Sequence, residues 1–181
     1  MIRYLLIFFF FLIGIPQLYS QVGKSAYEFL KIPVSVHSAT LGGNNVSIVE
    51  DDVTLAYTNP ALLSNISTTV LNFNYTSYIS DTDKLSATFA KLQGERGAWI
   101  VGAQALNYGS MKETSVDYKD VGDFSASDVA LHGGYSYLFS ERWSGGVIGK
   151  ILLSNYGDYS SVALAVDMGI NYYDADEGVS P

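Results

Sequence analysis

The chain has 181 residues, of which 48% are hydrophobic and only 15% are charged. This composition suits one β-rich domain, because about a quarter of the residues in an ordinary globular chain are charged. A formal net charge of −8 argues against nucleic-acid binding, which depends on Lys and Arg displacing counterions from phosphates. The absence of cysteine excludes disulfides, thiol nucleophiles and cysteine-based zinc sites.

Residues 1–20 are predicted to be a signal peptide for export. Arg3 provides the positive charge, and the uncharged apolar run at 4–15 is too short for the roughly 20 residues of a membrane-spanning helix. Pro16 and the small residue Ser20 follow, so cleavage after Ser20 would leave Gln21 as the mature N-terminus. The alternative for this run is a buried helix or a membrane anchor.

From residue 69 onward, six segments alternate between apolar and polar residues, a pattern that predicts β-strands. Their lengths suit the roughly 9–11 residues of a tilted transmembrane strand. Aromatic residues collect at the segment ends, as they do at the headgroup level of a membrane, although aromatic residues are enriched in all strands. The predicted segments are 70–79, 84–92, 98–108, 127–139, 143–154 and 160–172.

The sixth segment shows the alternation most clearly. One of its faces would contact lipid, and the other, with Asp167 and Asn171, would line a polar lumen. The third segment is ambiguous, because Val101 on one face competes with Ile100 and Leu106 on the other. The apolar face of the sixth segment consists of Val162, Leu164, Val166, Met168, Ile170 and Tyr172.

Six strands do not close a bacterial outer-membrane barrel, which needs at least about eight, and open edges in hydrocarbon leave backbone groups unsatisfied. Residues 69–181 are therefore expected to be the first six strands of an outer-membrane β-barrel whose C-terminal remainder is missing. The alternative is a secreted, soluble β-sandwich, whose strands alternate in the same way.

The longest predicted connection, at 109–126, is expected to face outward from the membrane. It carries apolar and aromatic residues among charged ones, a combination that protein interfaces use. Tyr118 and Phe124 are the candidate residues for contact with a partner protein. The alternative is a mobile, solvated loop.

Within the segment at 21–68, residues 23–63 carry an ordered succession of motifs: GKSAYEFL at 23–30, ATLGGNNVS at 39–47, the acidic residues at 50–52 and YTNPALL at 57–63, with LGG at 41–43 and NPA at 59–61. This succession resembles the N-terminal region of the PorV/PorQ branch of FadL-like outer-membrane proteins, and its PorQ members most. The resemblance implies an all-β fold: the N-terminal part of a FadL-like transmembrane antiparallel β-barrel, preceded by a short hatch-like segment that is periplasmic or lumenal.

The residues of this segment also predict local structure. Gly42 and Gly43 permit backbone conformations that suit a tight turn or close packing. Asn59 is a good helix N-cap and Pro60 a good first helical residue, so a short helix should begin there and include Ala61. These five residues are expected to be structural, either in a hatch that packs in or under the barrel mouth or in an ordinary capped turn.

The sequence contains few motifs that indicate catalysis or the binding of a metal or phosphate group. His37 and His132 have no second ligand at metal spacing, so neither a metal site nor a cofactor is expected. The glycine-rich run at 144–151 resembles a phosphate-binding loop, but Ser144 and Ile151 stand where that loop requires Gly and Ser or Thr. The acidic runs at 50–52 and 174–177 favour solvated turns over a cation site. We expect a protein that is not an enzyme.

The resemblance implies a place in the type IX secretion system of Bacteroidota. There, PorV, PorU, PorQ and PorZ form an outer-membrane attachment complex that processes cargo proteins and links them to lipopolysaccharide. The chain would be a non-catalytic scaffold that holds a PorZ-like surface partner, while PorU carries the chemistry. The alternative is a FadL-type transporter of hydrophobic compounds, for which an apolar pocket behind the hatch would be the discriminating feature.

Overall fold

The computed structural model describes residues 27–79, 81–114 and 120–174, and for 112–114 and 120–123 it describes the backbone alone. The predicted signal peptide at 1–20 lies outside the described residues. No helix in the described part of the chain is both long and apolar enough to cross a membrane. The segment at 27–66, called the N-terminal segment, contains one α-helix, α1, at Val36–Thr40, and three 3-10 helices at Glu28–Lys31, Val53–Tyr57 and Pro60–Asn65.

All six predicted strands are present, which confirms the all-β prediction. Each strand pairs antiparallel with its neighbour in sequence, so the order across the sheet is β1 to β6. Because β1 and β6 form the two edges, the sheet is open in the described residues. The strands are β1 (Val70–Ser77), β2 (Asp83–Gln93), β3 (Gly97–Thr114), β4 (Asp120–Leu138), β5 (Trp143–Tyr156) and β6 (Tyr159–Tyr172).

β3 and β4 are longer than alternation predicted, because they pair with each other beyond their other neighbours. After a register shift that begins at Asn107, pairing resumes with Ser110 opposite Ser125. Gly109 has φ +73° at this shift, a conformation that favours glycine and lets the strand rejoin the ladder. The prediction of a long loop at 109–126 is therefore wrong: its described parts, 110–114 and 120–125, form a two-stranded ribbon. The ribbon extends beyond one end of the strands, which is called the ribbon end. The short turns at 94–96 and 139–142 lie at the opposite end, which is called the turn end.

The core lies between the N-terminal segment and one face of the sheet, called the inner face. It forms two apolar clusters, one near each end of the strands. Near the ribbon end, Phe29 of the segment packs on Leu106 and Leu152 of the sheet. Near the turn end, residues of the second and third 3-10 helices pack on β2, β3 and β5; this cluster contains Val53, Ala56, Leu63, Ile66, Ala90, Ala98, Ile100 and Ile148.

The opposite face of the sheet, called the outer face, is apolar and exposed. In β3, Val101 is exposed on this face while Ile100 and Leu106 are buried on the inner face, which settles the assignment that alternation left open. Of the six apolar residues that alternation placed on one face of β6, those at 162, 164, 166, 168 and 170 are exposed, and Tyr172 is half-buried against Trp143. Across the sheet, exposed outer-face residues include Leu71, Phe73, Tyr75, Leu85, Leu131, Tyr135, Val147, Ile151, Val162, Leu164, Val166, Met168 and Ile170.

Candidate functional site

The inner face together with the N-terminal segment that covers it forms the candidate functional site. Side-chain caps give the segment its local structure. Ser35 caps α1 by accepting a hydrogen bond from the Ser38 amide at 3.0 Å. Asp52 caps the second 3-10 helix by accepting from the Thr54 amide at 2.8 Å, and the hydroxyls of Ser35 and Thr54 are hydrogen-bonded at 2.8 Å. The two helices are therefore fixed to one another.

Gly42 and Gly43 form the tight turn that their sequence predicted. Their φ values are +91° and +81°, a region that residues with a Cβ rarely adopt. The Gly43 amide donates to the carbonyl of Ser38 at 2.9 Å and so ends α1. A Cβ on Gly43 would also lie 3.0 Å from the Cγ of Pro33, so both conformation and packing favour glycine at 43.

Asn59, Pro60 and Ala61 form the corner where the third 3-10 helix begins, as predicted. The Asn59 Oδ1 accepts from the Ala61 amide at 3.0 Å, and Pro60 occupies the first helical position. The Asn59 Nδ2 donates to the carbonyl of Val46 at 2.8 Å and to that of Ile170 at 3.4 Å. The cap residue thus joins the helix, the segment and β6.

The corner is seated in a niche that the sheet provides. Gly146 of β5 and Gly169 of β6 are directly paired, and both lie on the inner face. A Cβ at Gly146 would overlap the carbonyl of Pro60, and one at Gly169 would overlap the Asn59 Oδ1. Sequence reasoning considered Gly146 only as part of a failed phosphate loop. The available signal was that glycine inside a strand often marks a close approach of another backbone.

Two serines of the sheet close this niche. The hydroxyls of Ser136 on β4 and Ser144 on β5 each donate to the carbonyl of Ala61 at 3.2 Å. Both serines are almost completely buried, as is Ala61. The Ala61 carbonyl also accepts a hydrogen bond from the Ser64 hydroxyl of its own 3-10 helix at 2.8 Å, so the helix and the sheet together supply its donors.

A belt of buried polar residues crosses the inner face between the two apolar clusters. Tyr57 of the segment is hydrogen-bonded to Thr88 Oγ1 at 2.6 Å and to His132 Nε2 at 2.8 Å. Burial raises the pKa of the Tyr57 hydroxyl to about 12, although the Thr88 hydrogen bond acts in the opposite direction. The hydroxyl therefore stays protonated and available for hydrogen bonding at neutral pH. His132, isolated in sequence, lies on the inner face against the segment.

Two lysines complete the belt. Lys84 is 2% exposed, and its Nζ donates to the carbonyl of Ile32 in the segment at 2.5 Å. Lys150 forms an ion pair with Asp167 across β5 and β6. Buried ammonium groups need such partners, because burying an unpaired charge is costly. The belt therefore helps to hold the N-terminal segment against the sheet.

Nearer the ribbon end, Asp128 forms a second polar centre. This fully buried carboxylate accepts hydrogen bonds from the hydroxyls of Tyr108 at 2.6 Å and Tyr156 at 2.8 Å, and also from Ser154. The rings of Tyr108 and Tyr156 lie with their centroids 6.0 Å apart. Three hydroxyl donors from β3 and β5 therefore compensate the buried charge on β4.

His37 belongs to an exposed cluster on the segment. Its Nδ1 lies 2.6 Å from Asp52 Oδ2, and its Nε2 lies 3.1 Å from Glu50 Oε2. The hydrogen bond with Asp52 is the main reason that the pKa of His37 is raised. Burial tends to raise the pKa of Asp52, but hydrogen bonds from His37 and Thr54 outweigh it and lower this pKa. Within 27–79, 81–114 and 120–174, no group of three His, Cys, Asp or Glu is arranged to hold a metal ion.

A cavity of about 400 Å³ lies between the N-terminal segment and strands β5 and β6. Apolar residues of the segment form much of its wall, including Ile32, Val34 and Val46. The ion pair of Lys150 and Asp167 borders it on the sheet side. The cavity is therefore large enough for a small molecule, which would lie beside the charged side chains of Lys150 and Asp167.

Of the two candidate residues for contact with a partner protein, Tyr118 and Phe124, the structure describes only Phe124. Tyr118 lies outside the described residues. Phe124 is half-buried in β4, where it pairs with Met111 in the ribbon. The structure therefore places Phe124 in a strand and does not bring it together with the residues of the inner face.

Neither a protein-family model nor a curated protein matches this chain. In the described residues, the fold is an open, antiparallel, six-stranded sheet with a covered polar face and an exposed apolar face.

Proposed function

We propose that the sheet is part of the wall of an outer-membrane β-barrel, with the N-terminal segment as a plug on its lumenal side. In this proposal the chain is a PorQ-like, non-catalytic component of the type IX secretion attachment complex. It scaffolds the surface processing and attachment of cargo proteins. Its partners are a PorZ-like surface protein, PorU, PorV and the lipopolysaccharide of the outer membrane.

The observation that carries the membrane part is the distribution of polarity between the two faces. The inner face buries lysines, Asp128 and His132, while the outer face exposes large apolar side chains on every strand. A soluble sandwich has the reverse arrangement, because its apolar face packs in the core and its polar face meets water. Large exposed apolar patches mark contact surfaces, and barrel strands direct such residues to lipid.

The aromatic residues fit the same orientation. Trp143 and Tyr172 are paired on the outer-face side of β5 and β6 at the turn end, and their ring centroids lie 5.0 Å apart. Amphipathic rings favour the headgroup level on both sides of a bilayer. The exposed apolar positions of β6 continue from this aromatic pair towards the ribbon end, where hydrocarbon would be.

The secretion role rests on the resemblance of residues 23–63 and is supported by two features of the structure. The motif residues at 59–61 form a corner that is seated in the sheet, as a hatch segment would be. The ribbon at 110–114 and 120–125 extends past the neighbouring strands, where it can meet a surface partner. In this proposal the corner belongs to a plug and the ribbon to a docking element, and they lie at different ends of the strands.

Two measurements test this proposal. Deleting the protein from a bacterium that carries this secretion system should release cargo from the cell surface into the medium. The tagged full-length protein should require detergent for extraction and should migrate differently on gels before and after boiling. Recovery as a soluble, monomeric exported protein would refute the membrane part, and unchanged cargo attachment would refute the secretion part.

The cavity beside the segment favours a second candidate, a FadL-type transporter of hydrophobic compounds. Its apolar wall suits such a compound, whereas the adjacent ion pair of Lys150 and Asp167 does not. Transport predicts that deletion lowers the uptake of a hydrophobic probe and leaves cargo attachment unchanged. That result would replace the secretion role with transport.

A further inference from the structure

The corner formed by Asn59, Pro60 and Ala61 is held by three strands of the sheet. β4 and β5 donate side-chain hydroxyls to the Ala61 carbonyl. β5 and β6 supply the glycine niche, and β6 also accepts a hydrogen bond from Asn59. The side chains of the next two residues, Leu62 and Leu63, are no more than 1% exposed to solvent. Movement of the corner would therefore break contacts with all three strands together.

The glycines of the niche are explained by packing and not by backbone conformation. Neither Gly146 nor Gly169 has φ in the left-handed region, so other residues can adopt their backbone geometry. What excludes a side chain is the volume already occupied by Asn59 and Pro60. Gly149, in the same strand as Gly146, lies on the outer face, and the nearest atom to a Cβ there is 3.9 Å away. The niche is thus specific to the corner.

The same contacts determine what opening would cost. Withdrawal of the corner would expose Leu62 and Leu63 to solvent and leave the Ser144 hydroxyl without the Ala61 carbonyl, whereas Ser136 would keep the Gly145 carbonyl as an acceptor. Buried polar groups that lose their partners, and apolar groups that lose their burial, both disfavour the opened form. A gate, in contrast, is normally built from parts of low local stability.

We infer that the Asn59–Ala61 corner is a fixed part of the wall and does not act as a moving gate. The part of the inner face of β4, β5 and β6 under the corner stays covered while the protein is folded. This inference goes beyond the proposed function, because it holds for a scaffold and restricts the route available to a transporter.

These 181 residues contain no cysteine, which allows a direct test by chemical labelling, with any cysteine elsewhere in the full-length protein replaced by Ser. Ala61→Cys introduces one thiol at a fully buried position, and Val36→Cys introduces one at a position that is 67% exposed. In the folded, full-length protein, N-ethylmaleimide should react with Cys at 61 at least about 100-fold more slowly than with Cys at 36, because reaction requires opening of the corner. Comparable rates would show that the corner opens spontaneously and would overturn the inference.

The role of the niche is tested in the Ala61→Cys background. Adding Gly146→Ala should accelerate labelling at least about tenfold, because the methyl group competes with the Pro60 carbonyl for space. Adding Gly149→Ala should leave the rate unchanged. Slow labelling that Gly146→Ala does not accelerate would refute the niche as the cause of the lock.

If Cys at 61 impairs folding, amide hydrogen exchange on the unsubstituted protein provides a second test of whether the corner opens. The Ala61 amide, which donates to Asn59 Oδ1, should be protected to the same degree as the amides of β5. Exchange as fast as that of the exposed stretch around Val46 would overturn the inference. Neither measurement depends on cargo attachment, so the fixed corner and the secretion role can fail independently.

Discussion

Replacing Val166 by Arg tests whether the outer face contacts lipid. Val166 lies at the middle of β6, and it is 61% exposed on the outer face. An arginine at the midplane of a barrel costs about 2–4 kcal/mol, because its charge must leave water. At an exposed site in water, the same substitution changes stability by less than about 0.5 kcal/mol. The two environments therefore predict clearly different losses for one substitution.

Ser160→Arg is the matched control, because Ser160 lies on the same face of the same strand. At about 3.3 Å per residue, Ser160 and Val166 are about 20 Å apart along β6. With a strand tilt of about 45°, this separation corresponds to about 14 Å along the membrane normal. The apolar band of a barrel is about 25 Å tall, so a residue this far from the midplane lies at its boundary. Arginine at 160 should cost about 0–1 kcal/mol.

Reversible urea unfolding in lipid vesicles, followed by tryptophan fluorescence, measures both losses. We expect the free energy of unfolding to fall by about 2–4 kcal/mol for Val166→Arg and by no more than about 1 kcal/mol for Ser160→Arg. Equal, small losses at the two positions would mean that the outer face meets water. That result would refute the argument from the polarity of the two faces and revive the soluble sandwich.

Three further predictions concern the segment and the ribbon. Gly146→Ala should lower the free energy of unfolding by about 1–3 kcal/mol through overpacking, and Gly149→Ala should leave it nearly unchanged; equal losses in denaturant unfolding would contradict the niche. The pKa of His37 is raised in the folded state, so its stabilising contribution is complete below the unfolded-state pKa of about 6.5 and is lost as the pH rises through the folded-state pKa. The melting temperature of the wild type relative to His37→Gln should therefore fall as the pH rises above about 6.5, and parallel profiles would show that His37 does not contribute. Replacing Tyr118 and Phe124 together by Ala should leave barrel assembly intact, measured by migration on gels, but weaken co-purification of a surface partner. Unchanged co-purification and cargo attachment would exclude the ribbon as the docking site.

The strands could be predicted from sequence because alternation reports which side chains share a face. The third strand was ambiguous for a physical reason: Ile100 and Leu106 are apolar although they face inward. They are covered by the apolar residues of the N-terminal segment, so both faces of β3 favour apolar residues. The ribbon was missed because Gly109 ended the alternation, whereas in the structure it permits a register shift and pairing continues.

The corner could be predicted in part. Asn59 and Pro60 carry a local capping signal, and the structure confirms the cap. The niche opposite them depends on the register of β5 against β6 and on where a distant segment packs, neither of which is encoded in a short stretch of sequence. Asp167 illustrates the same limit: alternation placed it on the polar face but could not show its ion pair with Lys150.

The polar inner face can be understood from the needs of the segment that covers it. The segment contains only short helices and turns, so many of its carbonyls lack partners in regular secondary structure. The sheet supplies donors for two of them, since Lys84 donates to Ile32 and the hydroxyls of Ser136 and Ser144 donate to Ala61. Had Lys84 been apolar, the Ile32 carbonyl would have lost this donor on burial. The Ala61 carbonyl also accepts a hydrogen bond from the Ser64 hydroxyl of the segment at 2.8 Å, so the two serines of the sheet add to a bond that the segment makes itself. The polar side chains that alternation assigns to a lumen therefore also provide hydrogen bonds to the irregular N-terminal segment that covers these strands.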